Sequence, residues 1–107
     1  MMVVRTVGAN SSVIDLSGEI TPATESDLME AYARTGSGQV ILNFSELEYM
    51  NSGGIGLLVT LLIRAQRQGR RISAVGLNDH YRNIFELTRL DEAIRVFDSE
   101  AEAAASN

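Results

Sequence analysis

The sequence predicts an α/β domain built on one mixed central β-sheet with about four α-helices, in the order β-β-α-β-α-β-α-β-α. Three observations carry this. Two short β-branched runs open the chain on either side of a turn-rich string, and strand-like and helix-like apolar runs alternate after them. A length of 107 residues, 45% of them hydrophobic, also suffices for one core. The chain, 1–107, is therefore read as a single domain with a core over about residues 3–103 and a fraying tail at 104–107.

Val3 to Val7 and Val13 to Leu16 flank Gly8-Ala9-Asn10-Ser11-Ser12, which reads as a hairpin of antiparallel strands. Thr21-Pro22 supplies an N-cap and a proline at the first helical position. Leu28, Met29 and Tyr32 then recur at helical spacing until Gly36-Ser37-Gly38 stops the run. Val40 to Phe44 is too short for a helix and apolar enough for a central strand. From Gly53 to Gln68 the pattern is helical, with Ile55, Leu58, Val59, Leu62 and Ile63 expected on one buried stripe and Gly69 at the C-terminal cap. A strand at Ile72 to Val75 precedes a third helix from about Asn78, which carries Ile84, Phe85 and Leu87. A short strand at Ile94 to Phe97 follows, and Ser99 and Glu102 stand at capping-box spacing for a last helix. Tyr81, Phe85 and Phe97 read as core.

Composition narrows the function. A formal net charge of −5 opposes nucleic-acid binding, because phosphate backbones require a basic face. Arg64, Arg67, Arg70 and Arg71 do cluster, but at a helix end, where cations complement the dipole. Arg64, Arg67, Glu46 and Glu48 are read as solvated surface. Cysteine is absent and His80 is the sole histidine, so no metal site, cofactor or catalytic residue is expected. The longest apolar run, Ile55 to Ile63, falls well short of the ~20 residues that span a bilayer. The start, MMVVRTVG, lacks the apolar run of a signal peptide. A soluble, cytoplasmic protein is the expectation.

The stretch with most to say about function is Tyr49 to Leu62, YMNSGGIGLLVTLL, where polar and small residues lead into an apolar helix. Asn51 or Ser52 suits the helix cap. Gly53 and Gly54 weaken a first turn by up to about 1 kcal/mol each relative to alanine, which favours some further demand for small residues, such as close approach by another protein. Met50 fills the core or stands at that interface. A nucleophilic Ser52 is disfavoured: Met50 replaces the first glycine of the Gly-x-Ser-x-Gly elbow, and His80 is the only base of its kind. The phosphate-cradling Gly-x-x-x-x-Gly-Lys-Ser/Thr pattern is absent, and the chain has no lysine.

The segment Val40 to Leu58, VILNFSELEYMNSGGIGLL, resembles the signature of the STAS domain, shared by sulphate-transporter tails and bacterial anti-sigma factor antagonists. Leu16-Ser-Gly-Glu-Ile20 resembles that family's second strand and turn, and Phe85-Glu-Leu-Thr-Arg-Leu-Asp91 its third-helix exit, so the likeness runs from about Val13 to Ala103. The resemblance implies an anti-sigma factor antagonist that binds a serine-kinase anti-sigma factor and so frees a sigma factor. The kinase would reverse binding by phosphorylating Ser52, and a phosphatase would restore it. Met50, Asn51, Ser52, Gly53, Gly54 and Thr21 are the partner-binding residues so implied. Two positions depart from the antagonists' usual aspartates: Asn51, just before the serine, and Asn43, at the end of the preceding strand. Both bear on phosphotransfer. The alternative is a STAS interaction or scaffold subunit of a signalling or lipid-transport assembly, in which Ser52 is never modified.

Overall fold

The computed structural model describes residues 2–106. Five strands form one sheet in sequential order: β1 (Val3–Val7), β2 (Ser11–Ile20), β3 (Gln39–Met50), β4 (Ile72–Val75) and β5 (Arg95–Val96). β1 and β2 pair antiparallel across the hairpin, and the remaining pairs are parallel, giving the mixed sheet expected. Four α-helices, α1 (Glu25–Ala33), α2 (Ser52–Arg67), α3 (Asp79–Thr88) and α4 (Glu100–Ala105), supply the connections and the C-terminal element.

Alternation along the strands divides the core between the two faces of the sheet. Ile14, Leu42 and Ala74 join the larger cluster, with Leu28 and Tyr32 of α1, Leu58 and Leu61 of α2, and Phe85 of α3. Phe44 lies at its centre, edge-on to Phe85 with ring centroids 5.5 Å apart. Their neighbours Val13, Ile41 and Val75 point the other way and pack against Ala103 of α4, with Phe97 half-buried beside them. That packing carries helix α4 to Ala105, into the stretch expected to fray. The side chain of Gln39 also donates to the Ala104 carbonyl at 3.1 Å.

Several boundaries move for identifiable reasons. β3 runs to Met50 rather than ending at Phe44, because β2 continues beside it from Ser17 to Ile20 after β4 has stopped. With only one neighbour, that half shows the uneven pattern Glu46 exposed, Leu47 buried, Glu48 and Tyr49 exposed, Met50 buried. Thr21 caps a 3-10 turn at Pro22–Thr24 rather than α1 itself, which starts one turn later. The last strand shrinks to Arg95–Val96, although the Phe97 amide still donates to the Ala74 carbonyl at 2.9 Å. Leu87 is 76% exposed on α3.

The largest correction concerns α2. Its buried face is Gly54, Leu57, Leu58, Leu61, Leu62 and Ala65, while Val59 and Ile63, expected inside, are 37% and 44% exposed. The helix is apolar on nearly all sides from Ile55 to Ile63, so periodicity alone admits two overlapping stripes. Docking of the first turn selects between them.

Candidate functional site

Parallel pairing of β2 with β3 ends at Ile20 opposite Met50, so both strands release their chains at the same edge of the sheet. The two loops that follow, Thr21 to Thr24 and Asn51 to Gly54, are therefore neighbours. The C-terminal edge of parallel strands is the usual location of binding sites in such sheets.

Each loop is braced by its own residues. The Thr21 hydroxyl oxygen accepts from the Ala23 amide at 3.2 Å, and the Thr21 amide donates to Thr24 Oγ1 at 3.1 Å, a reciprocal cap. In the second loop Asn51 Oδ1 accepts from the Gly54 amide at 2.8 Å, and the Asn51 carbonyl accepts from the Ile55 amide at 3.1 Å. Asn51 is thus the N-cap of α2. Ser52 is the first helical residue, exposed, and its hydroxyl has no hydrogen-bond partner among the described residues.

The paired glycines have an internal cause. A Cβ at Gly54 would lie 1.9 Å from the Ile20 carbonyl oxygen, and one at Gly53 would lie 2.6 Å from Cγ of Pro22. Both positions must be bare for the first turn of α2 to seat on the end of β2 and on the proline of the neighbouring loop. Close approach by an outside protein is not needed to explain them. Gly56 differs: a Cβ there meets nothing within 4 Å.

Met50 and Thr21 are buried, at 7% and 8% exposure. Met50 fills the core end of the strand beneath Gly54 and therefore positions the loop without offering a contact surface, and Thr21 does the same as a cap. Ser52 is exposed, Asn51 and Gly53 are half-buried, and Gly54 is buried. Pro22 and Tyr49, absent from the sequence-based site, flank it in the exposed shell, Tyr49 at 51%. Val59 and Ile63 continue the exposed surface along α2. The signal for that strip was present as an excess of apolar residues over what one helix face can bury.

Asn43 belongs elsewhere. Its Oδ1 accepts from the Ser45 amide at 2.9 Å, and its Nδ2 donates to Glu100 Oε2 at 2.7 Å on the α4 side of the sheet. Glu100 also pairs with Arg5 at 2.6 Å, and Arg5 bridges to Asp15 at 2.5 Å. The Arg5 guanidinium, then the Asn43 amide, hold the Glu100 carboxyl below the usual carboxylate range against the opposing effect of its partial burial. The two asparagines therefore do separate jobs: one caps α2, the other docks α4.

The loop itself carries no acid, and none stands in the first turn of α2. The site is thus the positive end of a helix with a free hydroxyl on it. Among the described residues no group of three His, Asp or Glu side chains could hold a metal ion. Among the described residues no helix is long and apolar enough to cross a membrane. His80 is exposed at the start of α3 with its ring against Tyr81, and it shares no hydrogen bond with Ser52.

Residues 4–97 match the family model described as the Mlab STAS domain. The chain belongs to the STAS domain family. The anti-sigma-B factor antagonist of Staphylococcus aureus (strain NCTC 8325 / PS 47) is 26% identical over 86 residues, covering 78% of this chain and 80% of that one. Among solved structures, the anti-sigma factor antagonist SpoIIAA in its unphosphorylated form superposes with a TM-score of 0.73 at 21% identity, covering 97% of this chain and 93% of its own. An anti-sigma factor antagonist from Mycobacterium paratuberculosis gives 0.72 at 23% identity, with 97% and 90% covered. These structures share the STAS fold seen here.

Proposed function

We propose that this STAS protein is an anti-sigma factor antagonist that binds a serine-kinase anti-sigma factor through the loop at Asn51 to Gly54 and the exposed side of α2. Phosphorylation of Ser52 by that kinase releases the complex, and a phosphatase acting on the phosphorylated serine restores it. The observation that carries the reading is the division of labour in the loop: Asn51 takes the cap, which leaves the Ser52 hydroxyl exposed and unengaged. A serine needed as the cap would be a poor substrate, because modification would unmake the helix start.

The energetics support a switch. Phosphate adds about −1.5 to −2 charges, which the amide groups and dipole of the helix start accommodate. A closely packed, desolvated partner would not accommodate them, and a hundredfold loss of affinity requires only ~2.7 kcal/mol. The fold therefore persists while the complex dissolves. Tyr49, next to the loop, and Val59 and Ile63, further along α2, are large exposed apolar side chains that suit a surface another protein covers. Such exchange takes place in the cytoplasm, where kinase and sigma factor would reside.

A second reading has its own support. The matched family model is that of the Mlab STAS domain, and the residue before Ser52 is an amide with no charge to offer a kinase-bound metal. On that reading the same surface is a permanent contact within a signalling or lipid-transport assembly. Peptide mass spectrometry of the protein isolated from its own cells under growth and stress separates the two. Phosphate on Ser52 that changes with condition supports the switch. A co-purifying partner with Ser52 unmodified in every condition sinks it and leaves the permanent subunit.

A further inference from the structure

The end of α2 remote from Ser52 borders a second concave region. A cleft of about 310 Å³ opens where the last turns of α2 meet the starts of β3 and β4 and the strand β5, with Gln66, Arg71, Ser73, Arg95 and Phe97 in its wall. Arg70 also lines it, and none of these three arginines has a carboxylate partner among the described residues. Arg70 is fixed by the Gly38 carbonyl at 2.8 Å and Thr35 Oγ1 at 2.9 Å, and Arg95 lies over the Phe97 ring at 5.3 Å. Glu92, the acid in the wall, faces Arg89 at 3.9 Å. Three guanidinium charges thus gather in a chain of net charge −5.

Helix-dipole complementation does not account for them. It applies to Arg64 and Arg67, the basic residues in the last turn of α2. Arg70 and Arg71 lie beyond that turn, and Arg95 belongs to a strand. A second observation is independent of charge: Ser73, 4% exposed in β4, has a hydroxyl with no hydrogen-bond partner among the described residues. A buried, unpaired hydroxyl is destabilising, and alanine would avoid the penalty at that position. It is the register partner of Arg95 on the neighbouring strand and lines the same cleft.

We propose that this cleft binds a small phosphate monoester, its anionic group between Arg71 and Arg95 with Ser73 Oγ as the neutral donor, and its apolar part against Phe97, which shares the α4 face of the sheet with Ser73. Guanidinium groups match phosphate oxygens in pairs. Three uncompensated cations favour a dianion over a carboxylate. The volume stands at the lower limit of ligand clefts, which fits a small molecule. The 16-residue α2, roughly 24 Å long, keeps this site apart from Ser52.

The test is an amide NMR titration of the full chain with phenyl phosphate, inorganic phosphate and benzoate in parallel. Saturable shifts confined to the amides of Arg71 to Ala74 and Arg95 to Phe97 are expected, with phenyl phosphate the tightest of the three. Arg71→Gln with Arg95→Gln should weaken phenyl phosphate at least tenfold, and both are exposed positions that leave the fold intact. Ser73→Ala should also weaken it while raising the thermal midpoint. Absence of saturation, equal shifts in the double arginine variant, or tighter binding of benzoate overturns the proposal. A further arm, flotation with vesicles containing phosphatidic acid, would overturn the free small molecule in favour of a lipid headgroup if the protein rises with the vesicles.

Discussion

The carbonyl oxygen of Ile20 occupies the space that a side chain would need at Gly54. A Cβ there would sit 1.9 Å from that oxygen, and the obstacle is backbone at the end of a paired strand, which cannot swing aside. Gly54→Ala should therefore destabilise the fold by about 1–3 kcal/mol, the range for overpacking, in urea unfolding. Gly56→Ala, in the same helix with open space around it, should do the opposite and stabilise by up to about 1 kcal/mol. Equal effects at the two positions would contradict the docking of α2 on β2.

Asn51 and Ser52 are separable by the same measurement. Asn51→Ala removes the acceptor for the Gly54 amide and should lower stability by about 1 kcal/mol, the usual value of a helix cap. Ser52→Ala removes a hydroxyl with no partner and should stay within about 0.5 kcal/mol of the parent. Asn51→Asp keeps an acceptor and adds charge at the positive helix end, so it should match or exceed the parent. A large loss in Ser52→Ala would return the serine to a capping role and weaken its standing as a modification site.

The sequence made the framework legible where a local rule applied. Asn78 caps α3 by accepting from the Tyr81 amide, and Ser99 caps α4 by accepting from the Glu102 amide. Gly69, at φ +68°, ends α2 with the Arg70 amide donating to the Ala65 carbonyl, as a glycine after a helical run predicts. What stayed hidden depends on partners distant in the chain. The need for Gly53 lies in Pro22, and that for Gly54 in Ile20, more than thirty positions earlier. From the sequence Asn43 reads as a change bearing on the expected phosphotransfer, until Glu100, 57 residues on, is seen to accept from its amide. Val59 and Ile63 are exposed although their spacing fits a buried stripe, because α2 carries more apolar residues than one face can bury.

Glu100 ties stability to pH. Its folded-state pKa is depressed by Arg5 and Asn43 relative to the unfolded chain, so its contribution is present above the ordinary glutamate value and is lost as pH falls through the folded value. The urea midpoint should therefore decline on acidification from neutrality into the range below pH ~4, and Glu100→Gln should decline less steeply over the same interval. Asn43→Asp should lower the midpoint at pH 7, since a second carboxylate would face Glu100 where the amide now donates. A pH profile for Glu100→Gln identical to the parent's would show that the Glu100 carboxylate adds nothing to the docking of α4.

The exposed face of α2 offers a test of binding that leaves the fold untouched. Val59 and Ile63 are 37% and 44% exposed, so Val59→Asp with Ile63→Asp should shift stability by no more than about 1 kcal/mol, against the 2–5 kcal/mol typical of removing a buried leucine such as Leu58. If this face lies against the partner, the double variant buries two uncompensated carboxylates in the complex and should lose it, with at least a hundredfold fall in affinity by isothermal titration against the co-purified partner. Arg64→Ala with Arg67→Ala, one turn further on, should change affinity less than threefold, because exposed charges at a rim contribute little. A partner that ignores Val59 and Ile63 but is lost with Ser52→Glu would confine the contact to the Thr21 and Asn51 loops.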